Sequence, residues 1–352
     1  MPSMFYLADT NYETFSYSPA LHFNSKKVDL VFGLDFSKDE LDAKTNYGDS
    51  SFKRTISAFY SLVGIPISDL WKFNGNLRVE KAENSGLDSG TQLNQVNKDE
   101  WAGGLGLIRD FGSENRIYGT IRRFYRHAAT DEYAYSIKKD LEPENGYEVE
   151  LGMDWAVNQI YLGGRIFRQW MEDEIVYDPL VPASPPARPF AGSNINLPKN
   201  RRVGLDLSVN WKISKSIRSG LSYEYVKATF EDGTYSGGNY AGSRVPLVPE
   251  GLLRLFADFS PVDSLLLNFG GSYVGESYRG SDFSNSEDKL GDYWVFDLGI
   301  NYQLSENTTL FGGVENLLNE EYFSTAYVSA FSPTAFYPGE GRKATLGLRY
   351  SF

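Results

Sequence analysis

The chain of 352 residues has no cysteine, only two histidines and no long apolar run. The absence of cysteine fits an envelope compartment, where stray thiols would be oxidised. His22 and His127 alone offer little for a histidine-rich metal site or a catalytic triad. A membrane helix needs roughly 18 to 20 consecutive apolar residues, and no stretch approaches that length. We therefore predict no helical membrane span, no catalytic residue, no metal site and no cofactor.

Positive charge is also scarce. The chain has 34 lysines and arginines against 46 aspartates and glutamates, a net charge of −12. Phosphate binding demands clustered cations, so no nucleic-acid partner is expected. Residues 1–15 lack a basic segment followed by an apolar one, which predicts that the sequence includes no export signal.

What the sequence has in abundance is aromatic residues, 15% of the total, and 34 glycines. Apolar and polar residues alternate with a period of two over many segments, which is typical of strands with one apolar face. At the carboxy terminus one face would carry Ala344, Leu346, Leu348, Tyr350 and Phe352, and the other Thr345, Gly347, Arg349 and Ser351. Such runs match the roughly 9 to 11 residues of a tilted membrane strand.

About 15 such segments can be recognised. They lie near residues 11–23, 26–38, 52–64, 70–81, 99–110, 115–127, 146–157, 159–171, 201–213, 216–230, 250–260, 264–279, 291–304, 307–316 and 342–352. Their connections alternate between short turns and long loops, the loops lying near 39–51, 82–98, 128–145, 172–200, 231–249, 280–290 and 317–341. Tight turns at one end and long loops at the other are typical of bacterial outer-membrane barrels.

Tryptophans favour the same fold. Near the predicted strand ends lie Trp71, Trp101, Trp155, Trp211 and Trp294, where the aromatic girdles of a membrane barrel are found. A soluble β-sandwich or propeller is the alternative, and it would bury those tryptophans in a core. The sequence thus predicts an all-β, antiparallel transmembrane β-barrel in contact with outer-membrane lipid of a Gram-negative-type bacterium.

Strand parity predicts that this barrel is incomplete at its amino-terminal end. If the last strand runs towards the periplasm, counting back through alternating turns makes the first recognisable strand run the same way. A closed antiparallel barrel with both ends in the periplasm needs an even number of strands. An open edge in hydrocarbon leaves backbone groups unpaired, so we expect the sequence to be part of a larger barrel.

Three motifs near the carboxy terminus resemble those of TonB-dependent receptors. The first is Asn316, Leu317, Asn319 and Tyr322 within Val-Glu-Asn-Leu-Leu-Asn-Glu-Glu-Tyr, and the second is Pro338, Gly341 and Arg342 in Pro-Gly-Glu-Gly-Arg. The third is the alternating ending with Tyr350 and Phe352, similar to the ending that the barrel-assembly machinery recognises. Locally, Asn316 and Asn319 are expected to turn the chain out of a strand, because asparagine tolerates left-handed backbone.

The resemblance implies one domain over residues 1–352, the carboxy-terminal barrel portion of a receptor whose barrel has about 22 strands around a plug. It implies energised uptake of a scarce solute, first a ferric siderophore, next cobalamin or another chelate. The plug and the segment that contacts the inner-membrane energy-coupling complex would belong to an amino-terminal part not in this sequence. The alternatives are a passive porin and a structural membrane barrel, while an outer-membrane protease or lipase lacks a recognisable nucleophile and base.

Aromatic and charged residues of the long loops are the candidates for binding a flat, partly apolar chelate. They are Tyr235, Tyr240, Tyr278, Arg279, Tyr322 and Tyr327. His127 follows Arg122, Arg123 and Arg126, which predicts either a solvated basic rim or a site for an anionic chelate. On the lumen side we expect pairing across strands and contact with a plug by Arg202, Asp206, Arg218, Glu224, Arg254 and Asp258.

Overall fold

A computed structural model of the chain describes residues 8–45, 48–88, 91–92, 95–134, 136, 140–182, 191–235, 238–328 and 334–352. Within these residues the secondary structure is almost entirely β. In chain order the elements are β1 (Ala8–Tyr17), β2 (Ala20–Asn24), β3 (Asp29–Thr45), β4 (Gly48–Pro66), β5 (Trp71–Asp88), β6 (Thr91–Gln92), β7 (Val96–Gly112), β8 (Asn115–Arg126), α1 (Thr130–Ala134), β9 (Glu144–Val157), β10 (Ile160–Glu172), β11 (Ile175–Asp178), β12 (Ser193–Asn196), β13 (Asn200–Lys212), β14 (Ile217–Phe230), β15 (Thr234–Tyr235), β16 (Gly238–Asn239), β17 (Gly251–Val262), β18 (Leu265–Val274), β19 (Tyr293–Ser305), β20 (Thr308–Glu315), β21 (Phe323–Tyr327), β22 (Ala335–Pro338) and β23 (Lys343–Tyr350). No helix in this described part is long and apolar enough to cross a membrane.

Seventeen of the described strands form one antiparallel sheet in which neighbours in sequence are neighbours in space. It begins with β1 and β2, which both pair with β3, and ends with β23, which pairs with β20. Three short hairpins, β11–β12, β15–β16 and β21–β22, lie in the long connections. Each predicted segment overlaps this sheet, although the first, 11–23, covers both β1 and β2, and the predicted all-β antiparallel class is confirmed. Among the described residues no pairing closes the sheet on itself.

Two predicted loops are wrong. The described residues of 39–51 and 82–98 lie largely in strands, because β3 and β4 run 17 and 19 residues and β5 and β7 run 18 and 17. The apolar alternation ends before the strands do, and polar pairs continue the ladder: Asp39 lies opposite Arg54, and Glu40 lies opposite Lys53. Opposite charges across a strand pair stabilise it, so these strands extend beyond the apolar zone.

The sheet has an apolar face and a polar face, and their exposure is the reverse of that in a soluble protein. On β9 the apolar face carries Val149 and Leu151, and Leu151 is 59% exposed. The intervening residues of the polar face, Glu148 and Glu150, are buried, and Glu148 is 0% exposed. Exposed apolar side chains alternating with paired charges are what a lipid-facing barrel wall requires.

Tryptophans mark both borders of the apolar face. Trp71, Trp155 and Trp211 lie at the end with the short turns, whereas Trp294 lies near the end with the long loops. Trp101 does not lie at a strand end as predicted, because β7 begins five residues earlier, at Val96. The girdle pattern therefore holds for four of the five predicted positions.

Glycines on the polar face make room for aromatic rings of the neighbouring strand. A methyl group added at Gly152 would collide with Tyr118, and one at Gly204 would collide with Phe167. Both pairs are directly cross-strand or adjacent in the register. The rings thereby cover the glycine backbone, which gives a strand glycine the packing that it lacks by itself.

Candidate ligand-binding face

The long connections form a packed layer at one end of the sheet, with its own small apolar core. The core comprises Leu197, Ala228, Phe230, Val245 and Phe283, all buried. They come from three connections and from the last residues of β14. Tyr240, a predicted binding residue, packs against this core with its ring 6.0 Å from that of Phe283. The layer is thus held together by burial rather than by the sheet alone.

Arg279 ties two connections to each other. Its Nη1 lies 3.2 Å from the Oγ1 of Thr334 and 3.6 Å from an Oε of Glu287. Its guanidinium carbon is 5.3 Å from the ring centroid of Phe336 in β22. The preceding Tyr278 receives Lys289, whose Nζ lies 5.3 Å from the ring centroid. Arg279 is therefore shielded, with 14% of its side chain exposed, and part of its charge is balanced by Glu287.

Tyr327 lies beside Arg279 through backbone contacts. The amide of Gly280 donates to the carbonyl of Ala326 at 2.8 Å, and the amide of Val328 donates to the carbonyl of Gly280 at 3.0 Å. The ring of Tyr327 meets that of Tyr337 edge-on at 6.2 Å. The structure thus brings Tyr278, Arg279 and Tyr327 together, with the half-exposed Tyr337, which sequence reasoning missed. In the sequence, the two adjacent aromatic residues Phe336 and Tyr337 before Pro338 could have indicated this position.

Tyr322, another predicted binding residue, has different contacts. Tyr322 stacks on Tyr293 with ring centroids 4.2 Å apart, and its ring occupies the space that a side chain at position 339 would need. It therefore supports the connection before β23. Tyr235 belongs to β15, and its side chain lies outside the described residues.

Asn316 clamps the two ends of the last connection. Its Nδ2 donates to the carbonyls of Glu320 at 2.9 Å and Glu340 at 3.0 Å, and its Oδ1 accepts from the amide of Glu320 at 2.8 Å. Its own amide donates to Asp297 at 2.8 Å, and the side chain is buried. Asn316 has a φ of 48°, the left-handed region that asparagine tolerates. The predicted turning role is confirmed.

Asn319 completes this clamp. It has a φ of 56°, and its Oδ1 accepts from the amide of Arg342 at 3.1 Å. The amide of Leu317 donates to the carbonyl of Phe296 at 2.6 Å. At the end of the chain, the rings of Tyr350 and Phe352 meet edge-on at 5.2 Å, and Phe352 is fully exposed.

Neither expectation for His127 is right. His127 is 8% exposed, not solvated, and its Nε2 lies 3.2 Å from an Oε of Glu80. The chain after β8 folds over the polar face, where an Nη of Arg54 donates to the carbonyl of Ala128 at 2.6 Å. Burial at this position follows from that contact between elements distant in sequence.

The three arginines before His127 are paired with carboxylates. Arg123 lies 2.7 Å from Glu100. Arg126 contacts Glu144 and Glu132, both at 2.7 Å. Arg122 pairs with Glu148. Their charge is neutralised, so they do not form the open basic rim that the sequence predicted, nor a free site for an anion.

The predicted pairing of lumen-side charges across strands is confirmed for Asp206, Arg218, Glu224, Arg254 and Asp258, whereas Arg202 pairs with Glu174 of the connection after β10. Oxygen–nitrogen distances are 2.6 Å for Arg218–Asp258, 3.3 Å for Arg254–Glu224, 2.5 Å for Arg165–Asp206 and 2.5 Å for Arg202–Glu174. Their predicted contact with a plug stays a prediction.

Titratable groups in the loop layer reflect the same packing. The guanidinium of Arg244 lowers the pKa of Glu250, with which it forms an ion pair. Burial raises the pKa of Tyr133 in α1 to about 12. No group of three or more histidine, aspartate or glutamate side chains suited to a metal ion occurs in the part of the chain that the structure describes.

A family model, curated relatives and solved structures all relate the chain to the same family of proteins. Residues 3–317 match the model of the TonB dependent receptor-like β-barrel. The probable TonB-dependent receptor BfrD of Bordetella pertussis is 22% identical over 335 residues, covering 88% of this chain and 42% of that protein. The family match includes Asn316 and Leu317 but not the motif from Pro338 to Arg342.

Solved structures show the same fold. The siderophore receptor PiuA from Acinetobacter baumannii superposes with a TM-score of 0.77 at 18% identity, covering 97% of this chain and 56% of that one. The ferric yersiniabactin uptake receptor FyuA from Yersinia pestis gives 0.73 at 18% identity, covering 100% and 56%. The chain therefore spans about half the length of these relatives.

Proposed function

Because the chain belongs to the family of TonB-dependent receptor-like β-barrels, we propose that it forms the wall and external loops of an outer-membrane receptor for energised uptake of a scarce solute. The match of residues 3–317 to the family's barrel carries this proposal. A ferric siderophore is the first candidate, because PiuA is a siderophore receptor and FyuA a ferric yersiniabactin receptor. Cobalamin or another chelate comes next. The family consists of transport receptors and not of enzymes, so we assign no catalytic role.

The partners follow from the same membership. We propose that the polar face of the sheet contacts a plug domain, which in turn engages an inner-membrane energy-coupling complex. Paired but partly exposed charges such as Arg254–Glu224 and Arg218–Asp258 suit such a hydrated contact. The exposed Phe352, which ends the last alternating strand, is proposed to engage the barrel-assembly machinery.

We propose that the solute binds at the loop layer, around Tyr278, Arg279 and Tyr327, with Tyr240 at its border, while Tyr235 stays a candidate from the sequence alone. Aromatic faces together with a few polar groups suit a flat, partly apolar ligand. Support comes from the proximity of Arg279, Tyr327 and the exposed ring of Tyr337. Tyr322 contributes less, because its ring packs on Tyr293.

A binding titration tests this proposal. Purified protein in detergent is titrated with a ferric catecholate, a ferric hydroxamate and cobalamin, and tryptophan fluorescence is followed. We expect saturable binding of one ferric chelate and at least a tenfold weaker affinity in the Tyr278→Ala/Tyr327→Ala variant, since roughly 1 to 3 kcal/mol is lost on removing a central aromatic contact. Tyr302→Ala, on the apolar face at the turn end, is the control. Binding of none of the three, or equal loss in the control, would contradict the proposal.

A passive channel is the second candidate, and one observation favours it. The segment following β8 folds over the polar face at Ala128, as a constriction segment of a pore would. Conductance across a planar lipid bilayer distinguishes the two functions. A receptor should show no steady ion current, whereas a channel should conduct continuously without any chelate.

A further inference from the structure

Several cations on the apolar face have no ion-pair partner among the described residues, and two of them lie close together. These two are Arg168 in β10 and Lys227 in β14, and both are exposed. Arg168 has the same parity as Leu162 and Ile166, so it points to the side of the sheet that faces lipid. Cations on that side are destabilising at the centre of a bilayer and nearly neutral at its borders. Unpaired cations on this face are therefore expected either near the border of the bilayer or in contact with an anionic ligand.

The distance of Arg168 from the turn end of its strand indicates a position near the loop-side border of the bilayer. Ile160 begins β10 at the turn end, and Arg168 lies eight residues further along. At roughly 3.3 Å per residue and a tilt of about 40°, this distance corresponds to a rise of roughly 20 Å. An outer-membrane apolar band is about 25 Å tall. Arg168 therefore stands close to the loop-side border, at the level of lipid headgroups.

The register brings these cations together. Val203 of β13 lies opposite Arg168 on one side and opposite Lys227 on the other. Two strand spacings separate the cations, about 10 Å between Cα atoms, which two long side chains bridge onto one anion. Arg201, opposite Trp170 in the next row, adds a third cation. We call Arg168, Arg201 and Lys227 the cationic patch.

Aromatic contact prepares Arg168 for an anion. Its guanidinium carbon lies 4.7 Å from the ring centroid of Trp170. A guanidinium stacked on a ring keeps its in-plane N–H donors available for the paired oxygens of a phosphate. Arg201 is partly balanced by Glu231, at 3.3 Å. The patch therefore keeps a net positive charge beside a ring that suits the interface.

Lys38, Lys53 and Lys81, at the loop end of the same face, are neutralised by their neighbours. Lys38 and Lys53 both contact Glu40, at 2.5 and 3.2 Å. Lys81 contacts Glu83 at 2.6 Å. These three lysines thus carry their own counter-ions, whereas Arg168 and Lys227 have no ion pair and only Arg201 of the cationic patch contacts a carboxylate, that of Glu231.

We propose that the cationic patch binds the headgroup phosphate of an anionic lipid in the outer leaflet, with the acyl chains lying along Val203 and Ile166. The alternatives are a general attraction of the protein to negative surfaces, and a site for dissolved phosphate. Charge complementarity, the border position and the adjoining apolar residues all favour a lipid.

The test uses protein reconstituted in phosphatidylcholine vesicles that contain phosphatidic acid with brominated acyl chains, which quench nearby tryptophan. We expect stronger quenching by brominated phosphatidic acid than by brominated phosphatidylcholine, and loss of that difference in Trp170→Phe. Each cation near an anionic surface contributes about 1 kcal/mol, so Arg168→Gln/Lys227→Gln should bind phosphatidic acid about 30-fold more weakly. Arg168→Lys should retain much of the affinity.

The double variant Lys38→Gln/Lys53→Gln is the matched control, because it removes the same charge from the same face and end. Its affinity should stay within a factor of about two. Equal weakening in both double variants would show a general surface attraction and overturn the proposal. So would equal quenching by the two lipids, or competition by dissolved inorganic phosphate.

Discussion

The polar and apolar faces of the sheet differ in how they treat charged and apolar side chains, although both arise from the same alternating sequence. On the polar face charges are paired, some of them in shielded pairs such as Asp39–Arg54 and others with one exposed partner, such as Arg122–Glu148. On the apolar face, large side chains such as Leu151 and Ile166 stay exposed. Whether a residue is odd or even in its strand decides which face its side chain lies on. A charge is therefore stabilising on the polar face and destabilising on the apolar face. The cationic patch is one place where the apolar face carries charge, and there Arg168 and Lys227 lie without an ion-pair partner.

The largest effect is expected from breaking a buried pair on the polar face. Asp39→Ala leaves Arg54 without the carboxylate that it contacts at 2.6 and 3.0 Å. Both side chains are shielded. Removing one partner of a buried ion pair costs roughly 3 to 5 kcal/mol. The free energy of unfolding, measured by urea titration of vesicle-embedded protein, should fall by that amount.

Glu315→Ala is the control for this variant, because the Glu315–Lys343 pair has side chains about 60% exposed and lies 3.8 Å apart. Exposed pairs contribute about 0 to 1 kcal/mol. If both variants lose the same stability, burial does not distinguish the pairs of the polar face.

A smaller effect is expected from placing a charge on the apolar face. Leu151→Arg puts a guanidinium in the middle of β9, whereas Val157→Arg puts one at its turn end. Arginine facing lipid costs roughly 2 to 4 kcal/mol at the bilayer midplane and about 0 to 1 near the borders. The same urea titration should rank Leu151→Arg below Val157→Arg. Equal stabilities would mean that this face does not contact hydrocarbon.

The smallest effect on stability is expected from alanine substitutions at two glycines on neighbouring strands. Gly152→Ala would drive a methyl group into Tyr118 on the polar face, whereas a methyl group at Gly164 meets nothing closer than 3.5 Å on the apolar face. Overpacking costs about 1 to 3 kcal/mol, while the added methyl at Gly164 should be neutral or stabilise by a few tenths to about 1 kcal/mol. Thermal unfolding followed by circular dichroism measures both. A larger loss in Gly164→Ala would contradict this account of the two faces.

Strand positions could be predicted from the sequence because side-chain parity is a local property. The alternation from Ala344 to Phe352 defines a strand without any knowledge of its neighbour β20. The loop prediction at residues 39–51 failed because both faces of β3 become polar there, and alternation carries no signal once the apolar zone ends. Backbone pairing with β4 continues regardless.

The site was harder to predict, because its contacts are non-local. His127 is buried by Glu80 and by the fold of the following segment over Arg54, and nothing in the neighbouring Arg122, Arg123 and Arg126 indicates this. Asn316 was different, since its left-handed turn is a property of asparagine itself. For Arg168 the parity was readable, but its closeness to Lys227 requires the register of three strands.

The hydrogen bonds around Asn316 are expected to affect the rate at which the last two strands of the sheet, β20 and β23, pair during folding. Residues 316–342 separate β20 from β23, and the entropy lost on closing a loop grows with its length. Asn316 bonds to Glu340, and Asn319 bonds to Arg342, so both ends of this connection are fastened at its base. Once the clamp has formed, β20 and β23 should pair as if joined by a tight turn. The outer part of the connection can then change in length and sequence with little effect on the rate at which the final hairpin forms.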